Sequence, residues 1–258
     1  MARASKSRNF LLGLSLRRDE VPSFDAYPFT IPAIGGLREL PFDHPVTFLI
    51  GENGAGKSTL LEALAIAWGL NPEGGGRNFE FATRASHSDL NRYLRLNRSP
   101  RRALDAYFLR AESYYNVATQ IEELDKQPGG GPKVIGWYGG KSLHEQSHGE
   151  SFFALFMNRL GAEGFFLLDE PEAALSPNRQ LAFLSRMHDL VRRGSQFVIA
   201  THSPILLAYP DAAIYLLADG PPHRVDYRDT EHYTVTRNFL TRTEQMLAIL
   251  LEESEEDE

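Results

Sequence analysis

The stretch VTFLIGENGAGKSTLLEALAIAWGL, residues 46–70, sets the fold. Val46 to Ile50 is a short apolar run rich in β-formers and reads as a buried strand. Leu60, Leu61, Leu64, Ala65 and Trp68 recur at helical spacing on one face. Between them, Gly51-Glu52-Asn53-Gly54-Ala55-Gly56-Lys57-Ser58 fits G-x-x-x-x-G-K-[ST] in full. Glycines in such a loop let successive backbone N–H groups point inward, where they and the following helix N-terminus hold phosphate oxygens. Lys57 would neutralise the β- and γ-phosphates, and the Ser58 hydroxyl would ligate Mg²⁺. Gly51, Asn53, Gly54, Ala55, Gly56, Lys57, Ser58 and Thr59 form the candidate nucleotide-binding set. A plain glycine turn also joins strands to helices, but it does not need a lysine and a hydroxyl at its end. A second Gly-Lys-Ser, ending the GGKS of residues 139–142, lacks the required first glycine, because Ile135 stands there. It reads as a loop.

Downstream, GFFLLDE, residues 164–170, is a continuous apolar strand that ends in two carboxylates. An aspartate in that place can hold Mg²⁺, often through water, and Asp169 takes that role. Glu170 beside it can orient or deprotonate an attacking water. The helix that follows has Ser176 as N-cap and Pro177 at its first position, with an apolar stripe of Leu181, Leu184, Met187, Leu190 and Val191. QFVIATHS is another buried strand, ending at His202. AAIYLLA, residues 212–218, follows as a strand, and the last segment turns helical. Upstream, the apolar run Phe10–Leu16 reads as a first strand, Ala106–Arg110 as another, and residues 71–102 as largely irregular. Residues 114–126 have a helical pattern, and Gln127–Pro132 reads as a connector.

Apolar strands alternating with helices imply a parallel sheet covered on both faces. Ligands of such sheets sit beyond the carboxyl ends of the strands. Gly51, Asp169, Glu170 and His202 all fall at such ends. The imidazole of His202 could touch a γ-phosphate there, and Lys57, Glu170 and His202 are the candidate catalytic groups.

In this order the motifs resemble an ABC-type ATPase head: phosphate loop, polar turn, strand with Asp-Glu, short loop, strand ending in histidine. SHGES, residues 147–151, stands where that family carries its signature, usually Leu-Ser-Gly-Gly-Gln. The resemblance implies that Ser147, Gly149 and Glu150 face the γ-phosphate of ATP bound to a second copy, head to tail. It implies ATP and Mg²⁺ as cofactors, with Ser58 and Asp169 on the metal. It also implies an ATP-dependent homodimer. The expected fold is a P-loop NTPase of ABC-ATPase type: α/β, a parallel-rich sheet flanked by helices, with a small helical lobe carrying the signature. The expected organisation is one domain over residues 1–251. The nucleotide lobe spans 1–111 and 161–251, the helical lobe 112–160, and an acidic tail 252–258.

DEPEAALSP is similar to soluble ATPases of the SMC/RecF-like kind, often grouped as AAA-family ATPases, more than to transporter subunits. The interval from Ser58 to Ser147 is too short for their coiled coil. His148 replaces a usual glycine, Ser176 replaces the D-loop aspartate, and the glutamine expected after the strand near Phe108 is missing. Glu112 is a possible substitute, and Tyr27 and Phe29 are weak candidates to stack on adenine.

Composition narrows the function further. The chain has 258 residues, a formal net charge of −7 and no cysteine. That excludes disulfides and thiolate metal sites, speaks against a protein that coats nucleic acid uniformly, and suits a cytoplasmic location. No apolar run is long enough to span a bilayer. A local basic stretch holds Arg92, Arg95, Arg98, Arg101 and Arg102, with Tyr93 among them, and offers a surface for nucleic acid or an acidic protein effector. The expected function is Mg-dependent ATP hydrolysis by a dimerising switch serving DNA metabolism or defence. The alternatives are the ATP-binding subunit of a transporter, or a slow regulatory switch.

Overall fold

The structure, a computed structural model, describes residues 8–76, 88–111 and 148–251. Within them, ten strands fall into two sheets. The strands are β1 (Leu11–Leu16), β2 (Glu39–Pro41), β3 (Val46–Ile50), β4 (Gly75–Gly76), β5 (Leu94–Arg98), β6 (Asp105–Arg110), β7 (Gly164–Asp169), β8 (Gln196–Ala200), β9 (Ala213–Ala218) and β10 (Gly220–Arg224). The helices are α1 (Pro32–Gly35), α2 (Lys57–Trp68), α3 (Leu90–Tyr93), α4 (His148–Arg159), α5 (Pro177–Arg192), α6 (Pro204–Leu207), α7 (Glu231–Thr241) and α8 (Thr243–Leu251). None of the described helices is long and apolar enough to cross a membrane.

The main sheet runs β10-β9-β3-β8-β7-β6-β4. Its five central strands are parallel, and the two edge strands are antiparallel. Every residue of β3, β7 and β8 is buried, which is why they read as unbroken apolar runs and not as alternations. Alternate residues serve opposite faces. Phe165 and Leu167 pack with α2, whereas Phe166 and Leu168 pack with Phe152 of α4 and Phe183 of α5. Phe156 of α4 stacks on Phe183 at 3.9 Å.

The second sheet, β2-β1-β5, is antiparallel and covers the α2 side. It corrects the reading of residues 71–102 as irregular. LRLNR is strand β5, paired along β1 from Leu16↔Leu94 to Leu11↔Arg98. Gln196, the first residue of β8, joins the two sheets. Its side chain accepts from the N–H groups of Phe10 and Leu11 at 2.8 and 2.9 Å and donates to the Leu11 carbonyl at 2.8 Å.

Two further expectations shift. The buried stripe of α5 is Gln180, Phe183, Met187 and Leu190, and Leu181 is 56% exposed. Strand β8 ends at Ala200, so His202 lies two residues past the strand. Ser176 does occupy the N-cap of α5, but its side chain makes no capping bond. The expected helix 114–126, the connector at 127–132, Ser147, Glu112, most of the helical lobe and the acidic tail lie outside the described residues.

Candidate functional site

Strand β3 delivers the chain to Gly51, and the loop closes at Gly56, the left-handed residue that opens α2. Gly51, Gly54 and Gly56 take φ of 147°, 84° and 94°. These values turn the loop back over the helix start and favour glycine. The Lys57 ammonium donates into the loop, to the carbonyls of Gly51 at 2.8 Å and Glu52 at 2.9 Å. Burial lowers its pKa, while Glu170, Asp169 and Glu172 oppose that shift.

The parallel register of β6, β7 and β8 brings Arg110, Asp169 and Ala200 level with one another. Asp169 Oδ1 accepts from the Ser58 hydroxyl at 3.0 Å. Arg110 reaches Asp169 Oδ2 at 3.4 Å and Glu62 at 2.9 Å. Glu170 follows in a left-handed conformation, φ 49°, and its N–H donates to the Ala200 carbonyl at 2.9 Å. That turn points the Glu170 carboxylate away from the strand axis, to 3.6 Å from Nε2 of His202. The His202 N–H donates to the Glu172 carboxylate at 2.5 Å. Burial raises the pKa of Glu172. Burial, with Lys57 nearby, lowers that of His202.

A cleft of about 1170 Å³ opens over these groups. Gly51 to Ala55, Glu170 and His202 form one wall, and the segment from Leu216 to Thr236 contributes the other. The donor set fits a magnesium-bound nucleotide. A glycine cradle faces a lysine, and Gly54 has open space where a Cβ would stand. One hydroxyl and one carboxylate lie together at the helix start. Among the described residues no group of three or more His, Cys, Asp or Glu could hold a metal by itself. Mg²⁺ does not need one, since it is commonly held by one or two carboxylates, waters and substrate phosphates.

The structure therefore brings Gly51, Asn53, Gly54, Ala55, Gly56, Lys57, Ser58, Thr59, Asp169, Glu170 and His202 to one end of the sheet. Gly149 and Glu150 lie in the first turn of α4 and pack against the turn Pro171–Ala174. A Cβ on Gly149 would stand 2.5 Å from the Ala174 carbonyl oxygen, and Glu150 pairs with Arg179 at 3.6 Å. Phe29 is corrected to a core residue, packed edge-on against Tyr93. Tyr27 is 66% exposed, with its hydroxyl 3.5 Å from Thr59 Oγ1.

The basic stretch stays on the surface, with Arg92, Arg95, Arg98, Arg101 and Arg102 all exposed. Arg92 pairs with Asp89, Arg98 lies over Trp68, and Arg101 lies over Phe10. Sequence reading missed Arg110, Glu62, Glu172 and His232. Arg110 and Glu172 sat in stretches already assigned to strand ends. His232 stands in no motif, and only the fold carries it to the cleft.

Comparison with known proteins bears on the fold. Residues 30–133 match the family described as "AAA domain". Residues 143–208 match the family described as "AAA domain, putative AbiEii toxin, Type IV TA system". No curated protein is similar enough to count as a match. Among solved structures, cbiO1 from Clostridium perfringens, part of the ABC transporter complex cbiONQ, is 15% identical with a TM-score of 0.51. The match covers 94% of this chain and 99% of that one. The fold is that of an ABC-type P-loop ATPase. The SMC head domain from Thermotoga maritima is 16% identical over 84% of this chain and 99% of its own, with a TM-score of 0.42.

Proposed function

We propose that the chain binds ATP with Mg²⁺ and hydrolyses it to ADP and phosphate, in a site completed by a second copy placed head to tail. The observation that carries this is the position of Glu170. A left-handed turn follows the strand end and sets its carboxylate 3.6 Å from His202 and within electrostatic reach of Lys57, while the preceding residue, Asp169, holds the Ser58 hydroxyl. Ser58 and Asp169 would hold the metal, which would supply neutralisation of the phosphate charge. The loop N–H groups and Lys57 orient the phosphates. Glu170 accepts a proton from water as its oxygen bonds to the γ-phosphorus, and the bond to the β–γ bridging oxygen breaks. His202 donates from its ring to the γ-phosphoryl oxygens. Gly149 and Glu150, with Ser147, would meet those oxygens from the partner copy, at a helix N-terminus suited to anions.

Two readings divide on what the hydrolysis serves. The fold comparison favours coupling to a membrane-embedded partner chain, since cbiO1 is itself part of a transporter complex. A role in DNA metabolism or defence draws on the SMC-like DEPEAALSP pattern and on the toxin named in the second family description. Arg92, Arg95, Arg98, Arg101 and Arg102 are exposed, and Arg92, Arg98 and Arg101 also contact Asp89, Trp68 and Phe10 at the surface. A neighbouring permease gene would support transport, and a neighbouring nuclease or toxin-like gene would support defence.

The test is phosphate release against protein concentration for wild type and Glu170→Gln, with both sized in ATP. Turnover per chain that rises with concentration, together with an inactive variant trapped as a dimer, supports the composite site. Flat turnover with no change in size removes the partner from the mechanism. No turnover at all removes the enzyme.

A further inference from the structure

His202 does not stand alone at the mouth of the loop. Its Nδ1 lies 3.2 Å from Nε2 of His232, with ring centroids 5.3 Å apart. His232 is the second residue of α7 and is held firmly. Thr230, the buried N-cap, accepts from the Tyr233 N–H at 3.2 Å and donates to the Tyr227 carbonyl at 2.7 Å. The Tyr227 hydroxyl in turn donates to the Pro204 carbonyl at 2.9 Å, two residues past His202. One side of the helix start is thereby tied to the loop that carries His202.

A ring nitrogen facing another at 3.2 Å needs one proton between them, so two arrangements are possible. In the first, His202 donates from Nδ1. Its Nε2 would then present a lone pair to the Glu170 carboxylate at 3.6 Å, which is repulsive. His232 would carry its proton on Nδ1, a buried atom with no hydrogen-bond partner among the described residues. In the second, His232 donates from Nε2. His202 then carries its proton on Nε2, facing the carboxylate, and Nδ1 of His232 is a lone pair. Either arrangement leaves one buried ring N–H without a hydrogen-bond partner among the described residues, at His232 Nδ1 in the first and at His202 Nε2 in the second. The Glu170 carboxylate distinguishes them, because it repels a lone pair on Nε2 and attracts an N–H there. That selects the second arrangement.

We propose that His232 is a positioning residue that donates to Nδ1 of His202 and so keeps the His202 proton on Nε2, aimed into the phosphate site. The inference rests on the ATPase reading for its purpose, though not for its geometry. The groups around the pair are Glu170 and Lys57 from the site, Glu172 behind His202, and Glu231 beside His232. Burial keeps both rings toward the neutral form, in which the donor–acceptor assignment has meaning.

The first test does not involve turnover. Long-range ¹H–¹⁵N spectra of the imidazoles in the full chain report which nitrogen carries each proton. Both rings are expected protonated on Nε2, and the His202 signal is expected to become a tautomer mixture in His232→Ala. A proton on Nδ1 of His202 in the wild type would overturn the proposal. In turnover assays, His232→Ala is expected to lower kcat about tenfold with the KM for ATP within about twofold. His232→Gln, which keeps an N–H donor, is expected to recover kcat to within about threefold of wild type. With His202→Ala already present, adding His232→Ala should cost nothing more. If His232→Ala turns over like wild type while His202→Ala does not, the proposal fails and the ATPase reading stands. If the wild type never hydrolyses ATP, that reading fails, and the spectra alone decide the placement of the proton.

Discussion

Gly51 and Gly54 both take positive φ, yet different constraints keep them glycine. A Cβ on Gly51 would strike the carbonyl oxygen of Leu217, whereas one on Gly54 would meet nothing within 4 Å. Gly51→Ala should therefore lose about 3 kcal/mol or more, read as a lower denaturant midpoint. Gly54→Ala should lose only about 1 kcal/mol, the backbone strain alone. Ionisable groups give a second contrast. The pKa of Glu172 is raised in the fold by burial, so its stabilising contribution is full below the ordinary value and lost as pH rises through the folded one. Glu172→Gln should gain stability over wild type as pH rises from about 5 to about 8, measured as the gap between their thermal midpoints. His202 and His232 have the opposite sign. Lowered by burial, they stabilise the fold above their ordinary value of 6.5, and that contribution is lost as pH falls toward the folded value. Removing both imidazoles with asparagine should shrink the drop in thermal midpoint between about pH 7.5 and pH 5.5.

Helix α5 shows where a sequence stripe needs adjusting. Of the stripe Leu181, Leu184, Met187, Leu190 and Val191, Met187 and Leu190 are buried and Leu184 and Val191 pack against the core, but Leu181 is exposed and the core also takes Gln180 and Phe183. The polar Gln180 decides the phase. It donates to the Leu175 carbonyl at 3.0 Å and accepts from the Ser203 hydroxyl at 2.5 Å, fastening the helix start to the loop after β8. Phe183→Ala should accordingly cost about 3–5 kcal/mol, while Leu181→Ala should stay within about 0.5 kcal/mol, both by denaturant unfolding. Strand β5 was hidden for a related reason. LRLNR carries arginines on its outer positions, and the aliphatic parts of such side chains cover apolar surface, so the alternation passed for a polar loop. The elements of the proposed phosphate site were legible, because phosphate binding needs a particular loop, lysine and hydroxyl between an apolar strand and a helix. The His202–His232 pair was not, since 29 residues and two strands separate its members in the chain and only the docking of α7 unites them.

At the scale of the molecule, the first turn of α4 and the phosphate loop are separate parts of one chain, as the proposed head-to-tail pair requires. Turnover per chain should rise about tenfold or more between dilute and concentrated protein, and Gly149→Ala should abolish that rise. Its added methyl would crowd the Ala174 carbonyl, so circular dichroism must accompany the assay to show that the variant is folded. The strand order has a consequence for how the chain is made. Strand β3, synthesised early, finds both its neighbours, β8 and β9, only in the last third of the sequence. Gln196, which stitches down the N-terminal strand, emerges just as late. While the ribosome is still at work, VTFLI is an apolar strand with two bare edges, open to the wrong partner. A chain released short of residue 196 would keep those edges permanently. Cells making this protein should therefore depend on chaperones that hold nascent chains, and premature stop codons between β3 and β8 should yield insoluble fragments rather than partly working ones.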